Sequence, residues 1–500
     1  MKALYKLITV TMILFILSLM VMKSITVDVN SDVGKRLLSI WYEEIGNVLL
    51  NDINSFTAIL HQALALTLFL MVVAATVFKM EWRVAAALLS LCTIVLIGLV
   101  PPQTLITSAV EWNLILFLIG SMTLAGILRK LGTFEYLAIR IVEVSKGSAL
   151  RLITLMLTLA FILSALLGEV TSIIYMVTLI FELNRLIKFD VKPLIVLSVL
   201  ATNTGSVALP IGNPIGIYLF FTANMSMSEF IKYGFTVALI GFILILAIIY
   251  LTNKRTLMEF SKALISSGRS VDTYITSYYM RVTRRELRMA YAGIVILSMF
   301  IATVVLNEHL SECLSVFSGT RIDPHSLLAF IPYAYIVLSM AFIPPESISE
   351  FIRDSVEWPS LLFFISLFIL SYSLTYSGTM IKIAYVISYI RYPALLMPTM
   401  LWSSAILSSV LDNLSVIVSM TPIATLLNSL GLVGRGIFFA LLYGGVYGGN
   451  YTPIGSTANI VAISICESRG ISIKWGEWLK IALITTTAQL IASLSLLYVI

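Results

Sequence analysis

Three observations predict an all-α integral membrane protein of about eleven transmembrane helices. The first is composition. The 500-residue chain is 59% hydrophobic and 12% charged, whereas soluble domains carry about 25% charge. The second is a pair of interruptions in long uncharged runs, at 201–214 and 444–457. Both are rich in Gly, Asn, Thr, Ser and Pro, the residues least suited to continue a helix. Both contain Pro-Ile-Gly, at 210–212 and 453–455. The third is an internal repeat. The stretch from Val110 to Gly132 matches Val356 to Gly378 at 9 of 23 positions without a gap. Farther on, 162–171 matches 406–415, and the Pro-Ile-Gly pair follows in the same order.

The same numbers exclude other classes. The net charge of +6 comes from cations gathered in particular loops, which reads as membrane topology and not as a nucleic-acid surface. Cys92, Cys313 and Cys466 lack paired spacing, and His61, His309 and His325 are isolated, so neither a disulfide framework nor a metal cluster is expected. No nucleophile–base pair or His/carboxylate spacing suggests an enzyme.

Taken in order, Lys2 and Lys6 precede an apolar run from Leu7 to Met22 with no small-x-small cleavage site after it. It reads as an uncleaved first span with its N-terminus in the cytoplasm. Residues 23–56 are polar and mildly acidic, as expected of an external segment with some helix. Residues 57–252 form the first repeat and 289–500 the second, with 253–288 as a cytoplasmic, Arg-rich linker. Five crossings are counted between Val110 and Val356 if 150–186 enters and returns on one side, and an odd number inverts the second copy. Charge agrees: Arg129, Lys130, Arg140, Lys146, Arg151, Arg185, Lys188 and Lys192 surround the first copy, while the second has Arg391, Arg435 and little else. Each five-span repeat thus contains a re-entrant hairpin and a broken helix, and the C-terminus falls outside a plasma membrane.

Two acids lie deep in this pattern. Glu169 is the sole charge between Arg151 and Glu182, and Asp412 the sole charge between Arg391 and Arg435. Insertion of an acid at mid-bilayer costs ~3 kcal/mol, so it needs a partner or a role. Cation coupling is the functional reading, with Glu169, Thr171, Asp412, Asn413 and Ser415 as donors and Na+ near Asp412 and Asn413; the bland one is a carboxylate capping backbone amides. The broken helices offer a complementary site at Asn203, Thr204, Gly205, Asn213, Asn450, Thr452, Ser456 and Asn459. Gly allows close backbone approach, and half-helix N-termini favour anions. No Lys or Arg lies in 193–228 or 436–466.

These residues resemble a family. Ser408-x-x-x-Asp412-Asn413-x-Ser415, followed by Gly-Gly-Asn-Tyr-Thr-Pro-Ile-Gly-Ser-Thr-Ala-Asn at 448–459, is similar to the ion transporter superfamily of arsenite permeases, citrate–metal symporters, divalent anion–sodium symporters and some sodium–proton antiporters. The Glu-Trp opening of each half, Leu-Arg-Lys-Leu-Gly132 and Asn203-Thr-Gly-Ser-Val-Ala-Leu-Pro-Ile-Gly-Asn213 look nearest the arsenite permease branch. The resemblance covers about residues 57–500 and implies eleven spans, two hairpins, a homodimer and an elevator-like movement. It places the sites at 164–171, 202–213, 408–415 and 449–459. Gly168-Glu169 departs from the Asp-Asn found in many relatives. The expectation is a secondary active transporter in contact with membrane lipids. It would move a small anion or oxyacid, arsenite-like or citrate-like, with Na+ or H+ as coupling ion and no other cofactor. A Na+/H+ antiporter is the alternative, and a channel a more distant one.

Overall fold

A computed structural model describes residues 2–45, 52–78, 80–146, 148–252, 278–390 and 392–499, with 258, 260–263 and 276 between them. Most of the expected linker 253–288, and Arg391, lie outside the described residues. Among the described residues all regular structure is helical. The principal helices are α1 Lys2–Ser24, α2 Asp32–Ile45, α3 Phe56–Phe78, α4 Arg83–Ile97, α5 Trp112–Lys130, α6 Thr133–Val144, α7 Ala149–Leu167, α8 Glu169–Ile187, α9 Val191–Ser206, α10 Pro214–Thr222 and α11 Thr236–Thr252. There follow α12 Arg284–Val305, α13 Asn307–Ser318, α14 Pro324–Ser339, α15 Ser347–Ser355, α16 Trp358–Tyr376, α17 Thr379–Ser388, α18 Leu396–Ser408, α19 Asn413–Ser429, α20 Gly436–Gly448, α21 Thr457–Ser468 and α22 Trp475–Val499. Among the described residues seven helices are long and apolar enough to cross a membrane, and six shorter apolar ones accompany them. The chain is an all-α, multi-pass membrane protein.

The element order recurs. A 19-residue helix, α5 or α16, ends at a glycine with positive φ, Gly132 (76°) or Gly378 (82°). A short helix, then a hairpin, then an interrupted helix follow in each case. Glycine is required at these two turns because a Cβ is strained in the left-handed region. The hairpin arms differ in length: α7 and α8 have 19 residues each, α18 and α19 have 13 and 17.

The helices gather into two compact units, 1–111 with 358–445 and 112–357 with 446–500. In the first, α1 packs along α3, α4 along α16 and α2 against α17. The described residues of the polar segment 23–56 are built into this unit. Trp41 of α2 is fully buried and its Nε1 donates to the Thr375 carbonyl at 3.0 Å. The backbone N–H of Asp28 donates to Tyr385 Oη, and Asn54 bonds both the N–H and the carbonyl of Val27. Lys382 is fully buried, and its Nζ donates to the Met22 carbonyl at 2.9 Å. A cation there meets the unpaired carbonyls and negative dipole end of α1. Trp41→Ala should therefore cost about 3–5 kcal/mol and Trp41→Phe about 1 kcal/mol. Thermal unfolding in detergent would read the difference, and equal losses would refute the hydrogen bond's role.

In the second unit α5 packs along α14, α7 along α9, and α11 along α22. Small residues set the closest approaches. A Cβ on Gly120 would lie 2.9 Å from Pro332 Cβ, and one on Gly205 2.1 Å from the Phe161 carbonyl oxygen.

Candidate functional site

Both interruptions have their post-break segments in the second unit. Helix α9 ends at Ser206 and α10 begins at Pro214, with Pro210–Gly212 as a 3₁₀ turn between them. In the other copy the 3₁₀ turn falls earlier, on Gly449–Tyr451, and α21 begins at Thr457. Pro has no N–H to continue the ladder, and the Asn and Ser side chains compete for backbone groups. Asn213 and Ser456 consequently become N-caps: Asn213 Oδ1 accepts from the Gly216 N–H and Ser456 Oγ from the Ala458 N–H.

The two breaks meet through asparagines. Asn203 Nδ2 donates to Asn450 Oδ1 at 2.6 Å and to Asn459 Oδ1 at 3.0 Å. Asn459 Nδ2 in turn donates to the carbonyls of Gly449 (2.9 Å) and Thr452 (2.8 Å), which fixes its orientation. All three side chains are fully buried. Yet Asn203 Oδ1 and Asn450 Nδ2 have no hydrogen-bond partner among the described residues. Buried polar atoms are almost always satisfied, and an unsatisfied one costs about 1–3 kcal/mol. One free acceptor and one free donor within a single amide cluster are what a small polar ligand would use.

The last helix adds what the sequence reading missed. Gln489 of α22, fully buried, donates from Nε2 to Thr204 Oγ1 at 2.7 Å and to the Gly241 carbonyl at 3.2 Å. Its Oε1 has no partner among the described residues. Trp478 Nε1 donates to the Asn450 carbonyl at 2.9 Å. The signal for Gln489 was the run Thr485-Thr-Thr-Ala-Gln489, polar residues inside an apolar span; Trp478 lies outside that run. Gln489→Leu should leave Thr204 Oγ1 and the Gly241 carbonyl without that donor, at a cost of about 1–3 kcal/mol in thermal stability. A melting temperature unchanged in Gln489→Leu but lowered in Trp478→Phe would contradict it.

Other sequence-selected residues have different surroundings. Gly205 serves helix packing, since its missing Cβ is what lets α9 touch the α7 backbone at Phe161. Asn213 is fully committed: besides the cap, its Nδ2 donates to the carbonyl and to Oγ of Ser206, at 2.8 and 2.9 Å. Thr452 is half-buried and enters the cluster through its carbonyl. Ser456 is buried as a cap.

The hairpin tips lie in different units and are described separately. In the second unit Gly168, with φ 90° and ψ 155°, makes the turn between α7 and α8. Glu169 is the first residue of α8, 4% exposed, and Thr171, within the same first turn, is half-buried. Ser172 Oγ donates across the hairpin to the Ala160 carbonyl at 3.0 Å, and Ser164 Oγ is buried without a hydrogen-bond partner among the described residues. A carboxylate in the first turn of a helix is favoured by the dipole.

In the first unit Asp412 caps α19. Its Oδ2 accepts from the Ser415 N–H at 3.1 Å and from Ser415 Oγ at 3.0 Å. Its Oδ1 faces Arg83 Nη1 at 4.0 Å. Asn413 Oδ1 accepts from the neighbouring Leu414 N–H, at 3.0 Å. Arg83 was not among the expected donors. It opens α4, more than 300 residues upstream of Asp412, and nothing local links them.

With this geometry in hand, comparison with known proteins identifies the family. Residues 78–444 match the family model described as citrate transporter. An uncharacterised transporter of Mycobacterium bovis is 25% identical over 392 residues, covering 77% of this chain and 85% of the relative. A 46 kDa membrane protein of Mycobacterium leprae is 25% identical over 441 residues, covering 85% and 96%. The human P protein is 24% identical over 474 residues, covering 82% of this chain and 56% of that protein. The matched region contains α4, both hairpins and the first broken helix whole. A membrane-embedded chain with broken helices, buried amides and these relatives is a transporter, and it belongs to the citrate transporter family of the ion transporter superfamily.

Proposed function

We propose that the protein is a secondary active transporter for a small oxyacid or carboxylate anion, coupled to Na+ or H+. The observation that carries this reading is the buried Asn203–Asn450–Asn459 cluster, where two interrupted helices converge and leave one amide donor and one amide acceptor unsatisfied. Interrupted helices at repeat-equivalent places are the usual architecture of a transport site. The cluster holds no cation, so it suits a ligand recognised by hydrogen bonds: a protonated oxyacid offers both an O–H donor and an acceptor oxygen. An arsenite-like acid fits that description, and so does a citrate-like carboxylate whose charge is reduced by a proton or a metal. Asp412 and Glu169 are the groups through which the coupling ion would act, with Asn413, Ser415 and Thr171 beside them.

The test is equilibrium binding of labelled citrate and labelled arsenite to purified protein, with Na+ and pH varied independently. Saturable binding of one of them that strengthens with Na+ or with protons is expected. Cation exchange in proteoliposomes without binding of either compound would favour a Na+/H+ antiporter instead.

A further inference from the structure

The strongest unassigned feature outside the amide cluster is the partner of Asp412. The carboxylate is asymmetric in its bonding. Oδ2 is saturated by the Ser415 N–H and Oγ, both 3.0–3.1 Å away, and this end cannot leave without uncapping α19. Among the described residues Oδ1 meets only Arg83, and at 4.0 Å. That distance gives charge compensation without a hydrogen bond, since N–H···O bonds fall at about 2.7–3.2 Å.

The guanidinium, by contrast, is held by groups other than Asp412. Arg83 Nη2 donates to Ser360 Oγ at 3.3 Å, and the guanidinium carbon lies 5.2 Å from the centre of the Phe363 ring. Both belong to α16, whereas Asp412 belongs to the hairpin α18–α19. Arg83 therefore keeps its seat, by hydrogen bond and cation–π attraction, whether or not Asp412 faces it. The two side chains are only 15% and 6% exposed. In such surroundings two opposite charges interact strongly, and a carboxylate left alone would need another cation.

We infer that Arg83 is a resident counter-ion that competes with the coupling cation for Oδ1 of Asp412. With Arg83 opposite, Asp412 is neutralised and the hairpin needs no bound ion. When a small cation occupies Oδ1, Arg83 stays on Ser360 and Phe363, and the hairpin carries the cation in place of the guanidinium. Exchange of one unit of positive charge for another keeps the buried carboxylate compensated throughout. Arg83 is thus a positioning and selectivity residue that sets how readily the cation is released. This inference rests on the reading of Asp412 as a coupling site.

The experiment is sodium-22 binding to purified full-length protein at constant ionic strength, together with Na+- and proton-driven uptake of labelled citrate and arsenite into proteoliposomes. Wild type, Arg83→Gln, Arg83→Lys and Asp412→Asn are compared. Removing the competing charge in Arg83→Gln should lower the half-saturating concentration of the coupling cation about tenfold, the scale on which a neighbouring opposite charge biases a carboxylate. Arg83→Lys, whose point charge lacks the planar guanidinium that bonds Ser360 and lies over Phe363, should shift it in the same direction by less. Should Arg83→Gln not yield monodisperse protein, the shift in Arg83→Lys decides. An unchanged cation dependence in the folded Arg83 variants, with coupling abolished in Asp412→Asn, overturns the inference and leaves the coupling reading intact. Full coupling in Asp412→Asn overturns the coupling reading itself.

Discussion

Replacing Asn450 by Ala is expected to reduce ligand binding about tenfold to a hundredfold while the protein still folds. The substitution removes the free Nδ2 donor and also the acceptor on which Asn203 Nδ2 closes at 2.6 Å. Each hydrogen bond lost to a ligand, or buried partner left unpaired, is worth about 1–3 kcal/mol, which is roughly one to two decades of affinity. Asn203→Ala should be worse, because Asn203 is the hub that joins Asn450 and Asn459. Asn459→Ala should cost most in stability. Its Nδ2 braces the carbonyls of Gly449 and Thr452, so the break itself loosens. Binding of labelled citrate and arsenite, measured beside thermal unfolding, separates these effects. A cluster that serves only as a structural brace would lower stability in all three variants without a selective loss of binding in Asn450→Ala.

Gly205→Ala should have the largest effect on folding of any single methyl group added to the second unit. The new Cβ would lie 2.1 Å from the Phe161 carbonyl oxygen and 2.7 Å from its carbon, and both are backbone atoms that cannot rotate aside. Helix α9 would have to withdraw from α7, which strains or breaks the packing that sets the first interruption against its hairpin. Overpacking of this kind costs about 1–3 kcal/mol, occasionally more, and a clash with backbone belongs at the upper end. The expected result is a sharp loss of monodisperse protein and a melting temperature well below wild type. Ala at Gly434, where no heavy atom lies within 4 Å of the added Cβ, provides the neutral control. Equal behaviour of the two variants would show that the close approach is not required.

The pattern of success in the sequence reading has physical causes. The broken helices at 201–214 and 444–457 were legible because Pro, Gly and Asn act locally, each on its own φ, its own N–H or a backbone group a few residues away. The hairpin turns were legible as places where an acid and small polar residues stand alone in apolar surroundings, and Gly168 and Asp412 sit at those turns. What was not legible is partnership. Gly205 was read as an opening for a ligand because glycine is permissive, but its neighbour Phe161 is brought there by the packing of α7. Asn213 was read as a ligand donor, but Ser206 and Gly216 take both ends of its amide. Arg83 drew no notice in the sequence, because only the packing of α4 along α16 sets it opposite Asp412. Gln489 and Trp478 sit in a span whose polar residues had only a composition to recommend them.

The most direct test of the transporter reading is accumulation. Proteoliposomes containing the wild-type protein would be loaded without substrate, given an inward Na+ or proton gradient, and supplied with a panel of labelled oxyacids and carboxylates that includes arsenite and citrate. The account predicts that one of them accumulates above its external concentration, that collapsing the gradient releases it, and that Asn203→Ala abolishes the accumulation. Passive equilibration of the whole panel, unaffected by either gradient, would contradict it.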